Sequence, residues 1–141
     1  MEEIYKEKIK HVIYTSRPTF FDNDVLDGIL HTSRANNIKW DVTGSLIFHS
    51  DLYLQLLEGP TDAINKLYQK IMADSRHAEI TKLRDDRTDR RLFASWTMKS
   101  DVFESWMLSR GALNELTSDD ALQVFDRLAR ETDQFLDTSG V

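Results

Sequence analysis

Apolar positions along this 141-residue chain alternate between the strand period and the helix period. Lys10-His11-Val12-Ile13-Tyr14-Thr15-Ser16 is a short apolar run closed by Arg17-Pro18, which predicts a first strand. Val25, Leu26, Ile29 and Leu30 then recur at helical spacing, with Asp22 or Asn23 as N-cap and Asn36-Asn37 as the expected end. The segments Asp41 to Phe48 and Tyr53 to Gly59 (YLQLLEG) flank His49-Ser50-Asp51-Leu52 and read as a β-hairpin. After Pro60, Thr61 or Asp62 caps a second helix that carries Ile64, Leu67, Tyr68, Ile71 and Met72 and is expected to end near Arg76-His77. Two more strands are expected at Glu79 to Leu83 and Phe93 to Met98, with the charged run Arg84 to Arg91 as a solvated turn between them.

This order predicts an α+β fold: a ferredoxin-like βαββαββ mixed sheet with two helices on one face. The strands are apolar on both faces, at Ile13 as well as Val12 and at Leu54 and Leu56 as well as Tyr53 and Leu57, so the second face also needs cover. Two C-terminal helices are expected to supply it or to form a subunit contact. One carries Val102, Phe103, Trp106 and Met107 and ends at Gly111. The other carries Ala121, Leu122, Phe125, Leu128, Phe135 and Leu136 behind a cap at Thr117 or Ser118, with fraying expected only from Thr138 to Val141. Residues 1–100 are thus read as one sheet-and-helix unit and 101–141 as its helical extension.

Within YLQLLEG one residue breaks the apolar pattern. Alternation puts Tyr53, Gln55 and Leu57 on one face and Leu54 and Leu56 on the other, so Gln55 points into the protein. A primary amide buried without partners costs about 1–3 kcal/mol, and it has two donor hydrogens and two acceptor sites to satisfy. A strand-edge amide reaching water or backbone is the simplest account of it; a partner brought by the fold is the other.

Composition narrows the possible functions. Twenty-four acidic against 18 basic residues give a net charge of −6, which opposes sequence-independent binding to nucleic acid. The absence of cysteine excludes a disulfide framework, a thiolate nucleophile and a Cys-based zinc site. Apolar runs are too short for a membrane span, and the charged start MEEIYKEKIK is unlike a signal peptide, so a cytoplasmic protein is expected. His11, His31, His49 and His77 lack ligand spacing for a metal, no Gly-x-Ser-x-Gly elbow is present, and Gly44 stands outside any phosphate-binding loop.

Polar residues set among apolar ones carry more information. Tyr14 and Gln55 meet beneath the helices if their strands are the central pair. Asn36 and Asn37 stand at the end of the first helix, and Lys70, Asp74, Arg76 and His77 crowd the end of the second. A flat, amide-rich heterocycle between the helices would satisfy Gln55 and Asn37, and a phosphate tail would run to the basic end of helix two. A core tyrosine, a capping asparagine and an ordinary basic helix end explain the same residues one at a time.

Taken together, Ile13-Tyr14-Thr15-Ser16, Asn36-Asn37 with Val42-Thr43-Gly44, Leu54-Gln55-Leu56-Leu57-Glu58-Gly59, Asp74-Ser75-Arg76-His77 and Arg91-Leu92-Phe93-Ala94-Ser95-Trp96-Thr97-Met98 resemble a BLUF domain, the blue-light sensor that uses flavin. The likeness is ordered and spans about residues 9–98. It implies FAD, with FMN or riboflavin as alternatives, between the two helices. It implies that Tyr14 donates an electron and then a proton to the excited flavin. Gln55 would bridge Tyr14 and the flavin N5/C4-carbonyl edge, its amide rotating or tautomerising after the radical pair recombines. Asn37 would bind the ring's carbonyl edge with Asn36 beside it, Arg76 and His77 would border ring or tail, and Lys70 and Asp74 match positions near the ribityl phosphate. Trp96 and Met98 would transmit the signal along the last strand to a downstream partner or to a homodimer or higher oligomer, with no substrate turned over. Asp51 in the hairpin turn and Trp40 before Val-Thr-Gly depart from the family pattern. Two rivals remain: a light-independent ferredoxin-like interaction domain, and a small enzyme acting on a phosphorylated compound through Arg76 and His77.

Overall fold

The computed structural model describes residues 9–18, 23–49, 52–74, 77–94, 98–102 and 117–139. The elements are β1 (Ile9–Pro18), α1 (Asn23–Trp40), β2 (Thr43–His49), β3 (Leu52–Pro60), α2 (Thr61–Ala73), β4 (His77–Thr88), β5 (Lys99–Val102) and α3 (Ser118–Ser139). They form one five-stranded sheet in the order β4-β1-β3-β2-β5. Its first three pairings are antiparallel, and β5 runs parallel to β2. β1 and β2 point the same way with β3 inserted between them, the split βαβ arrangement of the ferredoxin-like fold.

The period-2 pattern places one apolar set on each face. Val12, Tyr14, Leu46, Tyr53 and Leu57 face α1 and α2, where Leu26, Ile29, Leu30, Ile64 and Leu67 complete a core. Ile13, Ile47, Leu54 and Leu56 face the other way and pack with Phe93 and with Ala121, Val124, Phe125 and Leu128 of α3. Burial on both faces explains why β3 reads as a nearly continuous apolar run.

Several boundaries differ from expectation, each for a local reason. α1 does not stop at Asn36-Asn37 but runs a further turn to Trp40. Asp41 takes a left-handed φ of 58°, and the Val42 N–H donates to the Asn37 carbonyl at 2.8 Å, closing the helix as a Schellman motif. α2 starts after Pro60 with no side-chain cap and ends at Ala73, with Asp74 already extended, so neither Thr61 nor Asp62 is its cap and Arg76-His77 is not its end. The chain must turn there because His77 opens β4 opposite Pro18.

β4 absorbs much of the run read as a turn, extending through Arg84, Asp85 and Asp86 to Thr88. The ten-residue β1 offers it partners over that length, and its charges pair off, Asp85 with Lys10 at 3.1 Å and Asp86 with Arg84 at 2.8 Å. Register shifts at Ile13/Tyr14 and Thr15/Arg17, and a positive φ at Glu79, mark irregularities that break the alternation. The last strand is Lys99–Val102 and not Phe93 to Met98. Leu92 and Phe93 cannot join a ladder because their N–H groups donate to the Glu58 carboxylate, at 2.6 and 2.9 Å. In the expected first C-terminal helix, Val102 belongs to β5 and residues 103–111 lie outside the described residues. α3 is capped at Thr117, whose Oγ1 accepts from the Asp120 N–H at 3.1 Å, and it continues to Ser139.

Candidate functional site

Tyr14 and Gln55 are register partners on the two central strands, with side chains on the helix-covered face. Both are buried, and the Tyr14 hydroxyl donates to Gln55 Oε1. Burial, reinforced by nearby Tyr68 and Asp74, raises the Tyr14 phenol well above its ordinary pKa, so it stays neutral and keeps its hydrogen to donate. The Tyr68 ring meets Tyr14 edge-on, 5.5 Å between centroids, and fixes its orientation. The remaining end of the Gln55 amide, Nε2, points at Met98 Sδ 3.8 Å away, a weak acceptor.

Above this pair lies a cleft of about 180 Å³ between α1 and α2, floored by Gln55 and Leu57. Its α1 wall is Ile29, Thr32, Ser33, Asn36 and Asn37, and its α2 wall is Leu67, Lys70 and Ile71, with Asp74 beyond. At that volume, below the roughly 300–1,000 Å³ of a closed small-molecule pocket, it is a slot for the flat head of a ligand whose tail lies outside. Lys70 stands at the mouth with its Nζ 4.7 Å from the Trp40 ring, so this cation–π contact ties the two helices at the rim. Gly44 keeps β2 close against β3: a Cβ there would lie 2.1 Å from the Leu56 carbonyl oxygen.

The fold thus gathers Asn36, Asn37, Gln55, Lys70 and Asp74 around one cleft, with Tyr14 and Met98 joined to it through Gln55. His77 is placed as the first residue of β4. Arg76 and Trp96 lie outside the described residues. Sequence reasoning missed Thr32 and Ser33, although they share the i, i+3, i+4, i+7 spacing that runs from Ile29 to Asn36 and so share its helix face. It also missed Arg34, whose Nε and Nη2 donate to the Met98 carbonyl at 3.3 and 3.2 Å. Glu58 was noted only as part of a motif, yet it is wholly buried on the opposite face.

The family profile described as BLUF, sensors of blue-light using FAD, matches residues 9–99. The chain belongs to that family. It carries a BLUF blue-light sensor whose cofactor is FAD. A photoactivated adenylate cyclase subunit beta from Euglena gracilis is 36% identical over 76 residues, 53% of this chain and 9% of its own. The blue light- and temperature-regulated antirepressor BluF of Escherichia coli strain K12 is 30% identical over 119 residues, 77% of this chain and 30% of its own. This chain therefore spans only a small part of those relatives. The solved dark-state structure of the BLUF protein BlrB superposes with a TM-score of 0.78 at 25% identity, covering 88% of this chain and 97% of that one.

The BLUF cleft here fits a flavin chemically. Amides from Asn36, Asn37 and Gln55 offer both donors and acceptors of the kind a flat ring bearing carbonyls and ring nitrogens needs, aliphatic side chains line the cleft, and Lys70 places a cation on its wall. Among the described residues no cluster of His, Asp or Glu could hold a metal ion, and no helix is long and apolar enough to cross a membrane.

Proposed function

We propose that this protein is a light-driven switch without enzymatic activity, with Tyr14 and Gln55 as its working pair. The observation that carries this reading is the buried hydrogen bond from the Tyr14 hydroxyl to Gln55 Oε1 at the floor of the amide-walled cleft. Asn37 and Asn36 are assigned to the ring's carbonyl edge, and Lys70, Asp74, Arg76 and His77 to the ring border and the phosphate-bearing tail. The same ring contacts would accept FMN or riboflavin. Bound flavin supplies absorption of blue light and an excited ring that takes up an electron and a proton.

The rest is the work of the chain's own groups. Tyr14 holds its proton in the dark because burial disfavours a phenolate. While Tyr14 lacks that hydrogen its oxygen accepts and cannot donate, so Gln55 gains by presenting Nε2 to it and loses by presenting Oε1. The amide turns over, a bistable element biased by a transient change beside it. Once inverted it offers Oε1 to Met98, whose thioether has no hydrogen to give, and the tie to Met98 is lost.

Trp96 and Met98 then pass the change from the sensor unit, residues 1–100, to the extension, residues 101–141. A partner protein, or a second copy of the chain in a homodimer or higher oligomer, reads it in the cytoplasm. Output by protein contact is supported by the antirepressor relative, whose likeness covers 77% of this chain. The test is optical: the purified protein is yellow, and blue light shifts its flavin absorption reversibly to the red. Protein without flavin, or flavin without the shift, defeats the reading.

A further inference from the structure

Met98 is tied to the working pair by one weak contact, Gln55 Nε2 to Sδ at 3.8 Å. Its backbone is held by something stronger. Arg34 of α1 aims both Nε and Nη2 at the Met98 carbonyl, at 3.3 and 3.2 Å, a forked and charge-assisted grip that no other side-chain type reproduces. Arg34 does not line the cleft, but it stands on the helix that brings Ser33, Asn36 and Asn37 into it. Met98 is therefore shared between β3, through Gln55, and α1, through Arg34. Directly after it, Lys99 begins the parallel pairing with Ser45 of β2, so a displacement of Met98 is felt at once by the sheet.

We infer that Arg34 is a positioning residue of the switch: it holds Met98 against Gln55 and sets how readily the lit arrangement resets. The inference rests on the photoreceptor reading above. When the inverted amide withdraws its donor from Sδ, the guanidinium is the hold that keeps Met98 within reach. With Met98 still nearby, the Nε2–Sδ contact re-forms when the amide turns back, and that favours return. Without Arg34 the methionine leaves, the returning amide gains nothing on that side, and the lit state lasts longer. The size of the spectral shift is set at Tyr14 and Gln55 and does not depend on Arg34.

The experiment compares the full chain with Arg34→Ala and Arg34→Lys, each loaded with FAD. Visible absorption gives the shift and its decay in the dark; infrared spectra of protein labelled with carbonyl-13C methionine report the Met98 carbonyl, its band assigned with Met98→Leu. Arg34→Ala is expected to keep the full shift, slow dark recovery about three- to tenfold, and move the dark Met98 carbonyl band to higher frequency as its donors are lost. Arg34→Lys, which retains the charge and one strong donor, restores both properties in part. Recovery within about twofold of the unsubstituted protein, or slower recovery with an unmoved carbonyl band, overturns the inference. An unsubstituted protein with no light-induced shift brings down the photoreceptor reading itself, a failure visible before any Arg34 variant is compared.

Discussion

Gln55 and Glu58 stand three residues apart on one strand, are equally buried, and face opposite sides of the sheet. Among the described residues Gln55 has one strong partner, the Tyr14 hydroxyl, and one weak one, a sulfur at 3.8 Å. Glu58 receives the Leu92 and Phe93 N–H groups at 2.6 and 2.9 Å and the Thr43 hydroxyl at 3.3 Å. His11 Nε2 also lies 2.9 Å from its Oε1. A carboxylate with donors converging on both oxygens has one good arrangement. An amide held strongly at one end is fixed less firmly than such a carboxylate, because turning it over costs only one strong hydrogen bond. Burial alone thus does not separate a fastener from a moving part; the number and strength of partners does.

The contrast can be broken experimentally, and the largest effect should come from the movable side. Gln55→Leu and Tyr14→Phe are each expected to abolish the red shift while flavin stays bound; a normal photocycle in either would remove the moving part from the comparison. On the fixed side, Glu58→Ala strands two backbone N–H groups at about 1–3 kcal/mol each, so a loss of about 3–5 kcal/mol is expected in denaturant unfolding. A loss under about 1 kcal/mol would mean that Glu58 fastens nothing. Phe125→Ala empties the site where α3 meets Phe93, whose ring lies edge-on at 6.3 Å, and should cost about 3 kcal/mol without changing the spectral shift. That outcome would show that the α3 face is packing and not photochemistry.

Smaller effects sharpen the same picture. Because the folded-state pKa of Tyr14 lies above its unfolded value, its contribution to stability is intact below about pH 10 and falls as the pH rises from there toward the folded value. Thermal midpoints measured from neutral pH upward should show that decline weakened in Tyr14→Phe. The smallest change is expected from Glu131→Ala on the outer side of α3, where the exposed pair with Arg127 at 3.1 Å is worth less than about 0.5 kcal/mol.

The sequence was most readable where local period and long-range pairing agree. Alternation in β1 and β3 placed Tyr14 and Gln55 on one face, and the register then put them side by side. It was misleading where a side chain captured backbone groups that a strand would have used. Phe93 has strand-forming character, but its N–H is taken by a carboxylate 35 residues away, and no local pattern encodes that. β4 was cut short because register shifts against β1 hid its alternation among charges. The grip of Arg34 on Met98 joins residues 64 apart through a backbone carbonyl, which every residue possesses, so neither partner's identity announces it. Thr32 and Ser33 were missed although a local signal existed, since the helical spacing from Ile29 to Asn36 puts them on one face.

β5 is the shortest strand in the sheet, four residues long, and it comes last in the strand order, bordering β2 alone among the described strands. An element of that kind lies at the low end of the range of local opening energies, well below the central β1–β3 pair. A rearrangement confined to β5 would therefore break few backbone hydrogen bonds and leave the central β1–β3 pair intact, well short of denaturation.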